Sequence, residues 1–220
     1  MWKTRLLIIA LAAMGAWGWA RASLVGEVVH RTANDEAGWS LSRADRAFPS
    51  MLRVKRAALE ARVARAVADP ANIECIRHYC ETYPNMRLIL AHSARGFQPA
   101  HNLEGLPKLT GLDNLYFDTS VNCEPIAHQA IIRIIGHDKL MYGTDMPVSH
   151  LRGRSLSAAD SFIWLHEDAP VWGEKHQKID PVIVGLEHIR SLKWACWSEK
   201  LSDSQVEDIF YNNAARLLGA

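Results

Sequence analysis

Three short apolar runs, each ending in an ionisable residue, organise the middle of this chain. They are Arg87–Ser93 (RLILAHS), Asn114–Ser120 (NLYFDTS) and Lys139–Pro147 (KLMYGTDMP). Within each run, alternate positions have the two-residue period of a strand. Segments of helical length separate the runs, and this order predicts βαβ units with a parallel sheet. The sequence therefore predicts an α/β fold.

Polar side chains stand where each predicted strand ends: His92, Asp118 and Asp145. Because the carboxyl ends of parallel strands meet at one edge of a sheet, we expect these side chains to lie near one another. Taken alone, His92 reads as a buried histidine bonded to backbone, and Asp145 as the cap of a loop. Their equivalent positions at two strand ends favour a functional site instead.

Helices are predicted between and after the strands. A helix begins at Asp69-Pro70, because proline suits the first helical turn. Its buried stripe is predicted to be Ile73, Ile76, Tyr79, Cys80 and Tyr83. A second helix is predicted over Cys123–Ile135, with Ile126, Ala130, Ile131 and Ile134 inward and Gly136 at its end. Pro181–Ser198 and Ser202–Leu218 are predicted as amphipathic packing helices.

Four segments in this order resemble a known family: RLILAHSARGF, NLYFDTS, IGHDKLMYGTDMP and the terminal SDSQVEDIFYNNAARLLG. Together they are similar to the C-terminal half of a metal-dependent hydrolase of the amidohydrolase superfamily. The branch is the one that includes aminocarboxymuconate-semialdehyde decarboxylase and related enzymes. The resemblance covers about Asp69 to Ala220 and implies the C-terminal part of a TIM-type (β/α)₈ barrel.

The resemblance also implies a chemistry. Such enzymes bind one divalent metal, zinc by default for His/Asp ligands and manganese as the alternative, and metal-bound water ionises near pH 7. His92 matches the histidine of the sixth strand, and Asp145 matches the metal-binding aspartate of the eighth. Both are therefore expected to be catalytic and to contact the metal. Hydrolysis of a small amide, ester or lactone is expected; non-oxidative decarboxylation is the alternative.

The upstream part of that site has no counterpart here. No H-x-H pair occurs in the 220 residues, and Arg62–Ala68, where the fifth-strand histidine belongs, contain no histidine. A barrel of this type takes about 250 residues, so we expect an incomplete one. Two hypotheses follow. The missing ligands come from an unusual N-terminus or a second subunit, or the chain is a catalytically inactive half-barrel. Open sheet edges favour a homo-oligomer.

Other side chains near the strand ends are candidate substrate contacts. Arg95, Asp118, Arg152 and Arg154 are predicted to bind a small, anionic substrate, and Trp164 and Trp172 to wall its pocket. Arginines and half-buried tryptophans also occur on protein surfaces without a function. His137-Asp138 precedes its strand, at the end of the sheet where residues serve stability, and is rejected as a site.

The first 68 residues differ from the rest. Residues 1–22 resemble a secretory signal, with Lys3 and Arg5 before an apolar stretch and Ala20-Arg21-Ala22 as a cleavage site. Residues 23–68 form an atypical region, with a strand predicted over Leu24–His30 and a helix over Ser50–Val67. The family body, residues 69–220, suggests a cytoplasmic location; export through residues 1–22 is the alternative. A membrane is a partner only if residues 6–20 act as an anchor.

Charge and cysteine content exclude some classes. The formal net charge is +1, so the sequence carries no electrostatic case for nucleic-acid binding. None of the four cysteines forms a C-x-x-C pair. We expect them to be small buried residues: Cys75, Cys80, Cys123 and Cys196.

Overall fold

The structure, a computed structural model, describes residues 6–9, 65–169 and 180–219. Its main sheet has four parallel strands in the order β1-β2-β3-β4, which are β1 Leu6–Ile9, β2 Arg87–Leu90, β3 Leu115–Asp118 and β4 Leu140–Met141. In register, Leu90 lies opposite Phe117, and Asp118 lies opposite Met141. The predicted α/β class with a parallel sheet is confirmed, although each strand is shorter than its apolar run.

Helices connect and follow the strands: α1 Pro70–Thr82, α2 Pro99–Gly105, α3 Pro125–Ile134, α4 Val184–Ser198, α5 Asp203–Glu207 and α6 Asn213–Leu218. The Asp69 carboxylate accepts a hydrogen bond of 2.9 Å from the Ala71 N–H, which caps α1 at the predicted residue. One turn of π-helix, Asp208–Asn212, joins α5 to α6. Gly219, at φ 74°, ends α6 as predicted.

The core lies between the sheet and its helices. Four strand residues are fully buried in this core: Leu88 and Leu90 of β2, and Leu115 and Phe117 of β3. In this core the strands pack against the helices. Its largest fully buried side chains are Phe117, Leu88, Leu90, Leu106, Leu109, Leu115, Ile131, Leu140, Leu192 and Ile209. Burial of these apolar side chains is the main favourable term in folding.

The predicted helical stripes are wider than the buried ones. In α1, Ile73, Ile76 and Cys80 are buried, whereas the rings of Tyr79 and Tyr83 are exposed and stack at 6.3 Å. Side chains four residues apart meet on a helix surface, so the two tyrosines cover each other there. In α3, Ala130 and Ile131 are buried as predicted, Ile134 is partly buried, and Ile126 in the first turn is exposed.

A β-hairpin follows the main sheet. Its antiparallel strands are β5 Gly153–Ala158 and β6 Ser161–His166. Gly153 has φ 131°, and a Cβ there would lie 1.9 Å from the Leu165 carbonyl oxygen, so no other residue fits. The rings of Phe162 and Trp164 pack on Phe97 at 4.5 and 5.7 Å. The hairpin is thereby held against the loop that follows β2.

Several sequence predictions fall outside the described residues: the strand at 24–30, the helix at 50–67 up to residue 64, the cleavage site at 20–22, and Trp172. Just before Asp69, Ala66–Ala68 form a buried turn of 3₁₀-helix. Within 65–169 and 180–219, no helix is long and apolar enough to cross a membrane. Three cysteines are buried as predicted, whereas Cys75 is exposed.

Candidate active site at the carboxyl end of the sheet

The structure brings His92 and Asp145 together. His92 follows β2 and Asp145 follows β4, and the two side chains meet across the end of β3, with Nδ1 of His92 3.8 Å from Oδ2 of Asp145. The His92 side chain is 4% exposed and that of Asp145 is 30% exposed. Asp118, the last residue of β3, lies against the same histidine. The three predicted side chains therefore form one cluster.

The backbone at His92 differs from the predicted strand. β2 ends at Leu90, and residues 91–95 form a single tight turn in which φ is positive at His92, Ser93, Ala94 and Arg95. His92 was predicted at the end of the strand, and the structure places it in this turn, two residues after the strand ends. The Asp118 carboxylate accepts a hydrogen bond of 2.9 Å from the His92 backbone N–H.

The contacts of the His92 ring assign its proton. Nδ1 lies 3.1 Å from the Ser120 carbonyl oxygen, which can only accept. Nδ1 therefore carries the hydrogen in the neutral ring, and Nε2 is the basic nitrogen. The Asp145 carboxylate lies on the Nδ1 side, where it can stabilise positive charge on the ring. A histidine with one nitrogen held in this way is suited to accept a proton at the other.

Asp145 is a carboxylate in a partly desolvated place. Burial raises its pKa, the neighbouring Asp118 carboxylate raises it further, and His92 opposes both effects. The chain reaches Asp145 through Gly143, where a Cβ would lie 2.5 Å from the Ser120 hydroxyl oxygen. Glycine thus lets the end of β4 approach the end of β3 closely enough to form the cluster.

The predicted arginines occupy different places. Arg95 is buried in the turn with His92, its guanidinium lies 5.6 Å from the centre of the Phe162 ring, and burial lowers its pKa. Arg152 donates to the Pro181 carbonyl at 2.9 Å, and Arg154 pairs with Glu187 at 3.4 Å. These two hold the hairpin to the start of α4 and are not brought to His92.

An aromatic path leads from the site to the hairpin. The His92 ring lies 5.6 Å from the ring of Phe97, which contacts both Phe162 and Trp164. Trp164 is therefore two ring contacts from His92.

A set of buried polar side chains behind the turn was not predicted: Ser93, Asn102, Asn122, His128, His188 and Ser191. Burial lowers the pKa of His128 to about 4 and that of His188 to about 3, where the nearby His128 and His92 add to the effect. One signal was available in the sequence. His128 lies three residues before the buried Ile131, on the inward face of α3.

The donors described here do not fit the expected metal. Within residues 65–169 and 180–219, no group of three or more histidine, cysteine, aspartate or glutamate side chains could hold a metal ion. A catalytic zinc usually takes three protein ligands and keeps one open position. Of the three expected ligands, His92 and Asp145 supply at most two.

Comparison with known proteins identifies the family. The sequence matches the amidohydrolase family over residues 10–220. The chain therefore belongs to the amidohydrolase family, whose members are typically enzymes. No curated protein matches the chain.

Two solved structures are partly similar. One is an amidohydrolase from Burkholderia multivorans with bound HEPES, at 16% identity and a TM-score of 0.43, which covers 66% of this chain and 49% of that one. The other is 2,6-dihydroxybenzoate decarboxylase with 2,6-dihydroxybenzoate, at 14% identity and a TM-score of 0.35, covering 64% and 36%. The chain thus spans about half the length of the first structure.

Proposed function

We propose that this chain is a hydrolase of small, anionic amides, esters or lactones, built on the C-terminal part of a (β/α)₈ barrel. The observation that carries the proposal is the approach of His92 Nδ1 to Asp145 Oδ2 at 3.8 Å, where the strands end. Asp118 supports the pair through the His92 N–H. Family membership adds that proteins of this family are typically enzymes.

The roles follow from the proton positions. With Nδ1 protonated, Nε2 of His92 accepts a proton from a water molecule as that water attacks the substrate carbonyl. The Asp145 carboxylate stabilises the imidazolium that forms, and the ring then returns the proton to the leaving group. We assign contact with a substrate anion to Arg95, which lies in the same turn as His92. Arg152 and Arg154 contact Pro181 and Glu187 instead and are not given this role.

Non-oxidative decarboxylation is the second candidate. The raised pKa of Asp145 favours its protonated form more than in an exposed aspartate. A protonated Asp145 can deliver its proton to the carbon that loses carbon dioxide. The same cluster therefore suits either reaction, and the substrate decides between them.

A divalent metal, zinc or manganese, belongs to the proposal only if residues other than those described complete its ligand set. Elemental analysis of the purified chain and of Asp145→Ala tests it. Metal that is near-stoichiometric in the wild type and lost in the variant would show that other residues, of this chain or a second copy, complete the site. If neither protein holds metal, the proton-transfer scheme stands without it.

A substrate panel tests the activity itself. Small 4-nitrophenyl esters and lactones are followed by absorbance and pH indicator, and 2,6-dihydroxybenzoate by loss of its absorbance. We expect His92→Gln and Asp145→Asn to lower turnover by about 10²-fold or more. Asp208→Asn, which alters a histidine–aspartate pair at the other end of the sheet, is the matched control. If no compound in the panel is consumed, or if all three variants match wild type, the proposal is wrong and the inactive half-barrel is favoured.

A further inference from the structure

The turn that carries His92 has an unfavourable backbone. Four consecutive residues other than glycine, His92 to Arg95, have φ values of 57°, 54°, 59° and 58°. The left-handed conformation is unfavourable for an L-residue, because its Cβ comes too close to the following carbonyl oxygen. Such a run persists only where the surroundings hold it in place. The residues that hold it therefore also set the position of the His92 ring.

Buried amides hold its carbonyl groups. The Asn122 side-chain amide donates to the His92 carbonyl at 3.1 Å, and the Asn102 amide donates to the Ser93 carbonyl at 2.8 Å. Both asparagines are fully buried. A buried hydrogen bond that cannot be replaced by water is costly to break, so these contacts fix the turn in one conformation.

A buried histidine holds the side chain next to His92. Nδ1 of His128 lies 2.8 Å from the Ser93 hydroxyl oxygen, and its Nε2 lies 3.0 Å from the Asn122 carbonyl. Because that carbonyl can only accept, Nε2 carries the hydrogen and the Ser93 hydroxyl donates to Nδ1. His128 thus joins the turn to the same asparagine that binds the His92 carbonyl, and closes a ring of contacts around the turn.

We propose that His128 is a positioning residue, which acts through Ser93 and Asn122 to hold His92 in its left-handed conformation facing Asp145. His128 itself lies on α3, and among the described residues its ring has no contact with Asp145. The consequence for turnover rests on the proposed function, whereas the positioning of the ring does not.

The test is made on the full chain with ¹⁵N-labelled histidine, by two-dimensional NMR of the imidazole nitrogens and by hydrogen exchange of the His92 backbone amide. The variants are Ser93→Ala, which removes one hydroxyl, His128→Leu, which removes both ring contacts, and His128→Gln, whose amide can accept and donate in their place. Asn114→Ala is the matched control, because it loses two hydrogen bonds, to the Cys80 and Tyr83 carbonyls, at the other end of the sheet.

We expect Ser93→Ala and His128→Leu to shift the His92 ring resonances and to speed exchange of its amide at least tenfold. His128→Gln should restore most of both properties, and Asn114→Ala should change neither. If His128→Leu does not fold, Ser93→Ala decides the question, since it removes only one oxygen atom. Unchanged His92 signals in folded Ser93→Ala would overturn the proposal.

Failure of the proposed function would look different. Shifted His92 signals without turnover of any ester, lactone or benzoate in the wild type would leave the positioning in place and remove the activity. Lower turnover in Ser93→Ala with unchanged His92 signals would keep the activity and remove the positioning.

Discussion

Two of the histidine–aspartate pairs in the part of the chain that the structure describes lie at opposite ends of the main sheet and have nearly the same separation. At the carboxyl end, His92 and Asp145 lie 3.8 Å apart, with side chains 4% and 30% exposed. At the amino end, His137 and Asp208 lie 3.6 Å apart, with side chains 27% and 23% exposed. Distance alone therefore does not distinguish a candidate site from a packing contact.

The neighbours of each carboxylate do distinguish them. The pKa of Asp145 is raised by burial and by Asp118, whereas the pKa of Asp208 is lowered, first by a hydrogen bond from Asn212 and then by Arg216. The Asp145 carboxylate lies in a partly desolvated place beside a second carboxylate, whereas the Asp208 carboxylate lies among hydrogen-bond donors. The comparison teaches that the surroundings of a carboxylate mark a candidate site better than its distance from a histidine does.

The largest expected difference between the two ends is sensitivity to acid. The pKa of His128 is about 4 in the folded chain against an ordinary 6.5, so only the unfolded chain takes up its proton between these values. The contribution of neutral His128 to the free energy of unfolding is fully present above pH 6.5 and falls by about 3 kcal/mol as the pH reaches 4. Urea unfolding at pH 7 and pH 4.5 should show a clearly smaller loss in His128→Gln than in wild type. Equal losses would contradict the assigned burial of this ring.

At the amino end, the largest effect is expected from Asn213. Its amide donates to the His137 and Leu140 carbonyls at 2.7 Å each. Asn213→Ala leaves two carbonyls without these donors and should lower the free energy of unfolding by about 2 kcal/mol. Ester hydrolysis, if present, should continue at the wild-type rate in the folded fraction. Thr110→Ala, which removes an exposed hydrogen bond to Pro107, is the control and should change stability little. A loss of activity in folded Asn213→Ala would couple the two ends.

The smallest effects, of opposite sign, are expected from the two aspartates. A carboxyl with a raised pKa destabilises the folded state once it ionises, so Asp145→Asn should raise the melting temperature at pH 7, on the order of 2 °C. A carboxyl whose pKa is lowered by folding stabilises the folded state at pH values above its ordinary pKa. Asp208→Asn should therefore lower the melting temperature at pH 7, by a smaller amount. Both differences should shrink at pH 3, as the carboxyls take up protons. Shifts of the same sign at pH 7 would remove the contrast between the ends.

Much of the fold could be predicted from local pattern. Period-two alternation located β2, β3 and β4, and Asp69-Pro70 and Gly219 marked helix ends, because these signals depend on a few neighbouring residues. The width of the helical stripes could not be predicted in the same way. Whether Tyr79, Tyr83 or Ile126 is buried depends on what the rest of the fold places over them.

The candidate site was predictable in part for the same reason. His92, Asp118 and Asp145 can be recognised in the sequence because each stands at the end of an apolar run. The left-handed turn at 92–95 contains no glycine, so the sequence does not indicate it. His128 lies 36 positions from His92, and its contacts exist only once α3 packs behind the turn. Arg152 and Arg154 look free in sequence but are taken up by the hairpin, through Pro181 and Glu187.

The helix α2 lies close to the buried turn at 66–68, and this contact limits where recombination could join the chain to a different N-terminal segment. A Cβ at Gly105 would lie 1.9 Å from the Val67 carbonyl oxygen, so any other residue there must push the two segments apart. A recombination that replaces everything before Asp69 would discard the surface that Gly105 fits. For this chain, the workable crossover point therefore lies at or before Arg65.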